Sequence, residues 1–567
     1  KMNLEYTIGI QDKRFDRNQE LVVECFNGKT KIDISTPVVR KHGEGNTTKN
    51  TYFKSNEFDA IRLSGSFVNG FIVPLFKNGD GTNQISFAID FGTTNTHIEY
   101  KYGNNSETAI DNNNDLPMWQ SLIDRYSSDN IQIVDDNIFE REIFPYQFNP
   151  NTDYKFPFRT ALTYNQNIDF NVAKVFTHTN NFFLFEKIFY PTYLKLHTKL
   201  KWSNYSSDDD KFLVNSYIKG LLHLVLYKTL LLQCDPKKTR ITWFYPVSMD
   251  SFEKGIFIES WEKSYKEVFQ MDNTNNINVI PESIAPYLKY RGEYPGMSLS
   301  IDIGGGSTDI AVFENEKEIP EFISSIKFAG NAIFGDGFPS SAFSNSSDNN
   351  GFVRTFKDDA LKSLSKNSNK LEILNDIINK RKDSADFSSF LFSLENEKDI
   401  NFNYTEKLRS NRILKLPILL FYGSVVYYSA YLLKKTNYKK LPNNLLFSGT
   451  AAKTLKIIDA NKNFSNVTKF FTHILNSVLE LNANGLKIVL AENPKEITCK
   501  GVLKAGISSN ITECPIMFWL GGNSDSIWGK AINDNADISE IPYYSDVNDK
   551  NKTQIEDSLN HFFGLMD

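Results

Sequence analysis

The feature that most constrains this chain is a turn design that it uses twice. In Ile85–Glu99, ISFAIDFGTTNTHIE, an apolar run carries Asp90 to a strand end, Phe91-Gly92-Thr93-Thr94-Asn95 reverses the chain, and His97-Ile98-Glu99 runs outward. In Leu299–Phe313, LSIDIGGGSTDIAVF, a second apolar run carries Asp302 to Gly304-Gly305-Gly306, followed by Ser307-Thr308-Asp309 and another strand. Glycines leave the backbone N–H groups open to close approach, and neighbouring hydroxyls add donors, so such turns can cradle phosphate oxygens. An acid at the preceding strand end would hold a hydrated Mg²⁺ against those oxygens. Either turn alone is a weak motif. The pair suits a triphosphate gripped between two related domains, with a metal between them.

At 567 residues the chain is too long for one core, and three or four folding units are expected. With 40% hydrophobic and 23% charged residues it has the composition of a globular protein. A net charge of −5 argues against a broad nucleic-acid footprint. The four cysteines, Cys25, Cys234, Cys499 and Cys514, have no CxxC spacing, so buried thiols in a reducing cytoplasm are expected rather than a zinc or disulfide framework. KMNLEYTIGI has no apolar h-region, and no secretory signal is read there. Leu416–Leu433 is uncharged and long enough to test for a membrane span. Its Pro417, Gly423, two serines and four tyrosines favour a buried core helix instead.

Along the chain, residues 1–84 read as β, with strand-like runs at Leu4–Ile10 and Leu21–Phe26 and turn dipeptides at Asn27-Gly28, Asn69-Gly70 and Asn78-Gly79. Phe156–Tyr164 and Thr239–Pro246 read as strands. Ser206–Asp210 supplies a helix start for the apolar stretch Phe212–Leu232. Ser251–Phe269, Phe356–Ile378 and Thr405–Lys435 read as helices, Lys327–Phe338 as turn-rich and Ser344–Asn350 as a loop. Strands alternating with buried helices argue α/β layers for residues 85–508.

A third element, Leu445–Leu455, LLFSGTAAKTL, ends a short strand in Ser448-Gly449-Thr450 and opens a helix at once. Such a helix start is a general anion or nucleotide site. In this order the three elements resemble the motifs of the actin/Hsp70/sugar-kinase ATPase superfamily: first phosphate, second phosphate and adenosine. Two further segments match. Val279–Tyr290 has Pro281-Glu282-Ser283-Ile284-Ala285-Pro286 where the Hsp70 group has an Asn-Glu-Pro-Thr-Ala-Ala helix start. Asn493–Ala505, NPKEITCKGVLKA, resembles the helix that closes the Hsp70 nucleotide domain. DFGTTNT and DIGGGSTD lean towards the Hsp70-like branch.

The resemblance implies a two-lobed actin-like α/β fold of duplicated RNase H-like domains, preceded by a small β-rich module. Lobe I would span 85–296, lobe II 297–508 with an insertion at about 338–410, and a C-terminal extension 509–567. It implies ATP or ADP with Mg²⁺ as ligands. Gly92, Thr93, Thr94 and Asn95 would bind the β/γ-phosphates, and Gly304, Gly305, Gly306 and Ser307 would contact them from the other side. Asp90 and Asp302 would orient Mg²⁺ through its waters, Glu282 would position a metal-bound or attacking water, and Ser448, Gly449 and Thr450 would line the adenosine.

Two departures stand out. The lysine that stabilises the transferring phosphate in Hsp70 proteins has its nearest counterparts in Lys199 and Lys201, with Lys201 taken into the site, and the adenosine motif has Ser-Gly in place of paired glycines. Residues 509–567 are too few for the usual Hsp70 substrate-binding domain. The expected function is an Hsp70-like ATPase whose lobe closure regulates a protein partner, reached through residues 1–84 or the insertions. The alternatives are an actin-like filament subunit, a metabolite kinase, or a nucleotide-sensing scaffold with little hydrolysis.

Overall fold

The computed structural model of the chain describes residues 6–12, 22–34, 38–42, 48–55, 58–65, 69–74, 81–110, 157–165, 194–314, 317, 319–336, 350–381, 383–395, 399–461, 463–493, 495–505, 514–519, 527–531 and 549–567. The N-terminal region is β, with Asn27-Gly28 at a turn as expected, whereas Asn69-Gly70 lies within a strand, paired with Ser64 and Leu63, and Asn78-Gly79 lies outside the described residues. Strands β1 (Tyr6–Asp12), β4 (Val38–His42) and β5 (Thr48–Ser55) form one antiparallel sheet, in the order β1-β5-β4. Strands β2 (Val22–Asn27), β3 (Thr30–Ile32), β6 (Ala60–Ser64) and β7 (Asn69–Ile72) form another, in the order β3-β2-β6-β7. Gly28 takes the positive φ of 61° that the tight turn between β2 and β3 requires. Val23, Cys25, Phe58 and Ile61 make a small core of their own.

Two larger sheets follow, and they share one topology. The first contains β8 (Ile85–Phe91), β9 (Asn95–Tyr102), β10 (Thr108–Ala109), β14 (Arg240–Tyr245) and β15 (Ile277–Pro281), in the order β10-β9-β8-β14-β15. β11 (Phe158–Arg159) adds to β9, and β12 (Ala161–Asn165) pairs with β13 (Leu194–Thr198). The second sheet contains β16 (Met297–Ile303), β17 (Thr308–Glu314), β18 (Phe322–Ile326), β19 (Asn444–Ser448) and β20 (Lys487–Leu490), in the order β18-β17-β16-β19-β20. In each, three antiparallel strands are followed by two that run parallel to the first strand. The repeated order is the duplicated RNase H-like pattern, and the chain has the two-lobed actin-like α/β fold. The second sheet is extended at β18 by β21 (Pro515–Trp519) and β22 (Ile527–Ala531).

The helices of the first lobe are α1 (Asp208–Leu231), α2 (Ser251–Phe269) and α3 (Ile284–Tyr290). Ser207 and Asp250 cap α1 and α2 with side-chain oxygens, and Asp208, Asp209 and Asp210 place negative charge in the first turn of α1. Those of the second lobe are α4 (Gly330–Phe334), α5 (Gly351–Ser363), α6 (Ser368–Asp376), α7 (Ser384–Leu394), α8 (Tyr404–Ser410), α9 (Arg412–Lys435), α10 (Leu455–Ile458) and α11 (Ser465–Leu479). α12 (Glu496–Ala505) and α13 (Asp549–Met566) complete the set among the described residues.

The strand expected over Phe156–Tyr164 is two, β11 on β9 and β12 on β13, with Thr160 between them, and local chemistry revises three further readings. The helix expected over Phe356–Ile378 is two, because Asn367 leaves the helical conformation and caps α6 through Lys370 N–H. The helix expected over Thr405–Lys435 is also two. Asn411, with extended φ −88° and ψ 101°, ends α8 and caps α9 through Leu414 N–H. The turn-rich stretch Lys327–Phe338 contains the short helix α4, held by tertiary contacts described below. Residues 344–349 of the expected loop lie outside the described residues.

α9 is the one helix among the described residues that is long and apolar enough to cross a membrane, and 67% of its most apolar window is buried. It packs on α11, and α13 covers its Gly423 face. Tyr427 Oη donates to Ser558 O at 2.9 Å, and Trp519 stacks on Tyr431 with ring centroids 4.1 Å apart. It is a core helix of the second lobe, as its tyrosines and glycine predict.

Candidate functional site

The two turns face each other across one cleft. Asp90 and Asp302 occupy matching places, each the penultimate residue of the first strand of its sheet. In the first turn Gly92 N–H donates to Asn95 O at 3.2 Å. A Cβ on Gly92 would stand 2.5 Å from that carbonyl and 2.6 Å from Lys495 Nζ, so only glycine fits. Two of the three glycines of the second turn, Gly305 and Gly306, are required by the approach of the first, whereas a Cβ on Gly304 would meet the turn's own Ser307 carbonyl oxygen at 3.2 Å. A Cβ on Gly305 would lie 2.2 Å from Thr94 Oγ1, and one on Gly306 would lie 2.7 Å from Thr93 Oγ1 and 2.6 Å from Trp202 Nε1. Helix α4 braces the turn from behind, where Gly330 and Asn331 N–H donate to the carbonyls of Gly304 and Gly305 at 3.1 and 2.9 Å. A short turn-rich stretch becomes helical because those donors have fixed partners.

The cleft is lined by Asp90, Gly92, Thr93, Thr94, Asn95, Lys201, Glu282, Asp302, Gly304, Gly305, Ser307 and Thr450, all expected from sequence, together with Asp309, Lys495 and Thr498. Gly306 sits behind the wall against Thr93 and Trp202. Ser448 and Gly449 stand behind Asp302. Ser448 Oγ donates to Asp302 Oδ2 at 2.8 Å, and Gly449, at φ +84°, approaches the Ile303 carbonyl and Asp302 Oδ1 too closely for a Cβ. The Ser-Gly departure of the third motif therefore orients an acid of the cleft.

The turn that carries the two lysines sends them in opposite directions. Lys199 adopts a left-handed conformation before the short 3₁₀ turn Leu200–Trp202 and points to Asp383 at 3.6 Å with 54% of its side chain exposed. Lys201 points inward, 1% exposed, and forms an ion pair with Glu282. The adjoining Trp202 donates from Nε1 to Thr93 Oγ1 at 2.9 Å, and Tyr205 Oη donates to Lys201 O at 3.0 Å. One short segment thus positions both the buried ammonium and a phosphate-turn hydroxyl.

Four carboxylates share the cleft with two ammonium groups. Burial raises the pKa of Glu282 against the lowering pull of Lys201, with Asp90 adding repulsion. Asp302 is pushed up to about 7, by burial first and by the nearby Asp90 and Glu282, although the Ser448 hydrogen bond and Lys495 pull it back. Asp309 is raised well above the usual carboxylate range by burial and by Glu282 and Asp302. Its Oδ2 accepts from Ser307 Oγ at 3.0 Å, while Oδ1 is buried without a hydrogen-bond partner. Unpaired buried oxygen and excess negative charge call for a cation, and glycine N–H groups and threonine hydroxyls call for an anion. The donor set therefore fits a phosphate chain carrying a hydrated dication.

The sequence reading passes over Asp309, Lys495 and Thr498. Asp309 closes the second turn, and its signal is the symmetry of the motif, an acid on either side of the glycines. Lys495 has a subtler signal. It directly precedes α12, where the helix dipole disfavours a cation, so a lysine there asks for an acidic partner elsewhere.

No protein-family model matches the sequence, and no curated protein matches it. Among solved structures the chain is similar to a MamK double helical filament, at 12% identity and TM-score 0.34, over 74% of this chain and 98% of that one. It is similar to MreB5 of Spiroplasma citri bound to ADP, at 12% identity and TM-score 0.32, over 74% and 95%. It is also similar to the ethanolamine utilization protein EutJ from Carboxydothermus hydrogenoformans, at 10% identity and TM-score 0.29, over 77% and 92%.

Proposed function

We propose that this chain is an Hsp70-like, Mg²⁺-dependent ATPase whose two lobes close on the nucleotide and pass that state to a protein partner. The observation that carries the reading is the pair Asp90 and Asp302, at matching strand ends on one cleft between two phosphate-type turns. When bound, Mg²⁺ would supply charge neutralisation at the phosphates. Asp90 and Asp302 are the residues to hold it.

The chain's own groups then divide the work. Thr93 and Thr94 hydroxyls and the N–H groups around Gly304 and Gly305 orient the phosphates. Lys201, fixed by Glu282, offers a buried ammonium to the charge that develops on the transferring phosphoryl group. Glu282, made more basic by burial, accepts a hydrogen bond from the attacking water and aligns it. The partner contact is read into the N-terminal module, where Phe71, Ile72 and Val73 at the β7 edge are exposed. The test is ATP binding and phosphate release for wild type, Asp302→Ala and Glu282→Ala. Asp302→Ala is expected to weaken Mg²⁺-dependent binding, and Glu282→Ala to slow turnover about 100-fold with binding kept. Full activity in both variants would overturn the site.

A further inference from the structure

Lys495 is separated from Asp90 by 405 positions, yet its Nζ lies 2.7 Å from Asp90 Oδ2. It reaches over the first turn, so close to Gly92 that its ammonium takes the space a side chain would need. The side chain is only 18% exposed and lines the same cleft as Asp302 and Glu282. Its backbone is anchored firmly. α12 packs on α3, β8 and β9, and its Gly501 lies against the backbone of α3 at Ala285 and Lys289. The helix that aims Lys495 therefore rests on the elements that carry Asp90 and follow Glu282.

We propose that Lys495 is the resident cation of the phosphate site: while no divalent ion is bound it neutralises Asp90, so that the cleft can hold nucleotide phosphates before it takes up the Mg²⁺ that turnover requires. The inference rests on the nucleotide reading above and adds to it a residue and a property. An ammonium can bridge one carboxylate oxygen and a phosphate oxygen by charge-assisted hydrogen bonds. Without it, Asp90 presents an uncompensated charge to an incoming polyphosphate, and only a divalent cation can remove that repulsion. Lys495 acts here as a positioning and charge-balancing residue.

The experiment measures the equilibrium affinity for a fluorescent ATP analogue in excess Mg²⁺ and in excess EDTA, for wild type, Lys495→Met, Lys495→Gln and Lys495→Arg. Folding is checked by circular dichroism, and Lys495→Gln, which keeps a hydrogen-bond donor near Asp90, serves should Lys495→Met not fold. The quantity read is the ratio of the two dissociation constants. Both neutral variants are expected to raise that ratio at least about tenfold, by losing affinity in EDTA, while Lys495→Arg stays near wild type. A purely structural strut would lower the melting temperature and leave the ratio unchanged. An unchanged ratio in the neutral variants, or a raised one in Lys495→Arg, overturns the inference and leaves the nucleotide reading standing. Absence of nucleotide binding by wild type in both conditions overturns both.

Discussion

Replacing Gly501 by alanine tests how closely the helix behind the cleft must pack. A Cβ there would stand 2.2 Å from the Ala285 carbonyl oxygen and 2.9 Å from the Lys289 nitrogen. Both are backbone atoms of α3 and cannot rotate away, so α12 must move off α3 by about 1 Å to restore contact distance. Two effects oppose each other. Alanine gains about 1 kcal/mol in helix propensity over glycine. Overpacking against fixed backbone costs about 1–3 kcal/mol or more, and the displacement also stretches the 2.7 Å Lys495–Asp90 contact at the start of the same helix. The expected sum is a net loss of up to about 2 kcal/mol. The assay is urea-induced unfolding followed by circular dichroism, with the nucleotide dissociation constant measured alongside. The loss should come with weaker metal-free nucleotide binding. Gly423→Ala is the internal control, since a Cβ there meets only the side-chain ends of Phe470, Phe562 and Met566 at 3.2–3.4 Å, which can shift. Should Gly501→Ala equal or exceed wild type in stability, propensity has won and the close-packing argument is wrong.

Ser448→Ala removes the hydrogen bond that favours ionised Asp302, so the Asp302 pKa moves further above its value of about 7. On the proposed function, Mg²⁺-dependent nucleotide binding needs Asp302 charged and should strengthen as pH rises through that value. The variant should shift the binding curve to higher pH by about one unit, and coincident curves between pH 6 and 9 would refute the assignment. Deleting residues 1–84 should abolish capture of the protein partner while nucleotide affinity stays within about twofold, because Asp90 and the strands that frame the cleft lie beyond the deleted region. Unchanged partner capture would move the contact elsewhere.

Much of the architecture is written in short-range terms. Strand, acid, glycine turn and strand is a local pattern, and the chain folds both copies as hairpins with Asp90 and Asp302 at matching positions. Helix starts are equally local: Ser207, Asp250 and Asn411 cap as their chemistry directs. Asn367 and Asn411 also carried a local signal, a capping side chain inside an otherwise helical pattern, and reading through them joined helices that the structure separates.

The site divides along the same line. By itself the sequence determined which residue types converge, because the free energies of turns, caps and alternating burial act over a few neighbouring residues. Only the tertiary structure decided which remote groups meet. A left-handed residue and one short 3₁₀ turn send Lys199 to Asp383 and Lys201 to Glu282. Gly305 and Gly306 needed the opposing Thr93 and Thr94 to explain them. Lys495 needed the packing of α12 on the first lobe, which brings it to Asp90 from the far end of the chain. Such contacts are set by how helices and sheets bury their apolar faces against one another, and no local pattern encodes that distance.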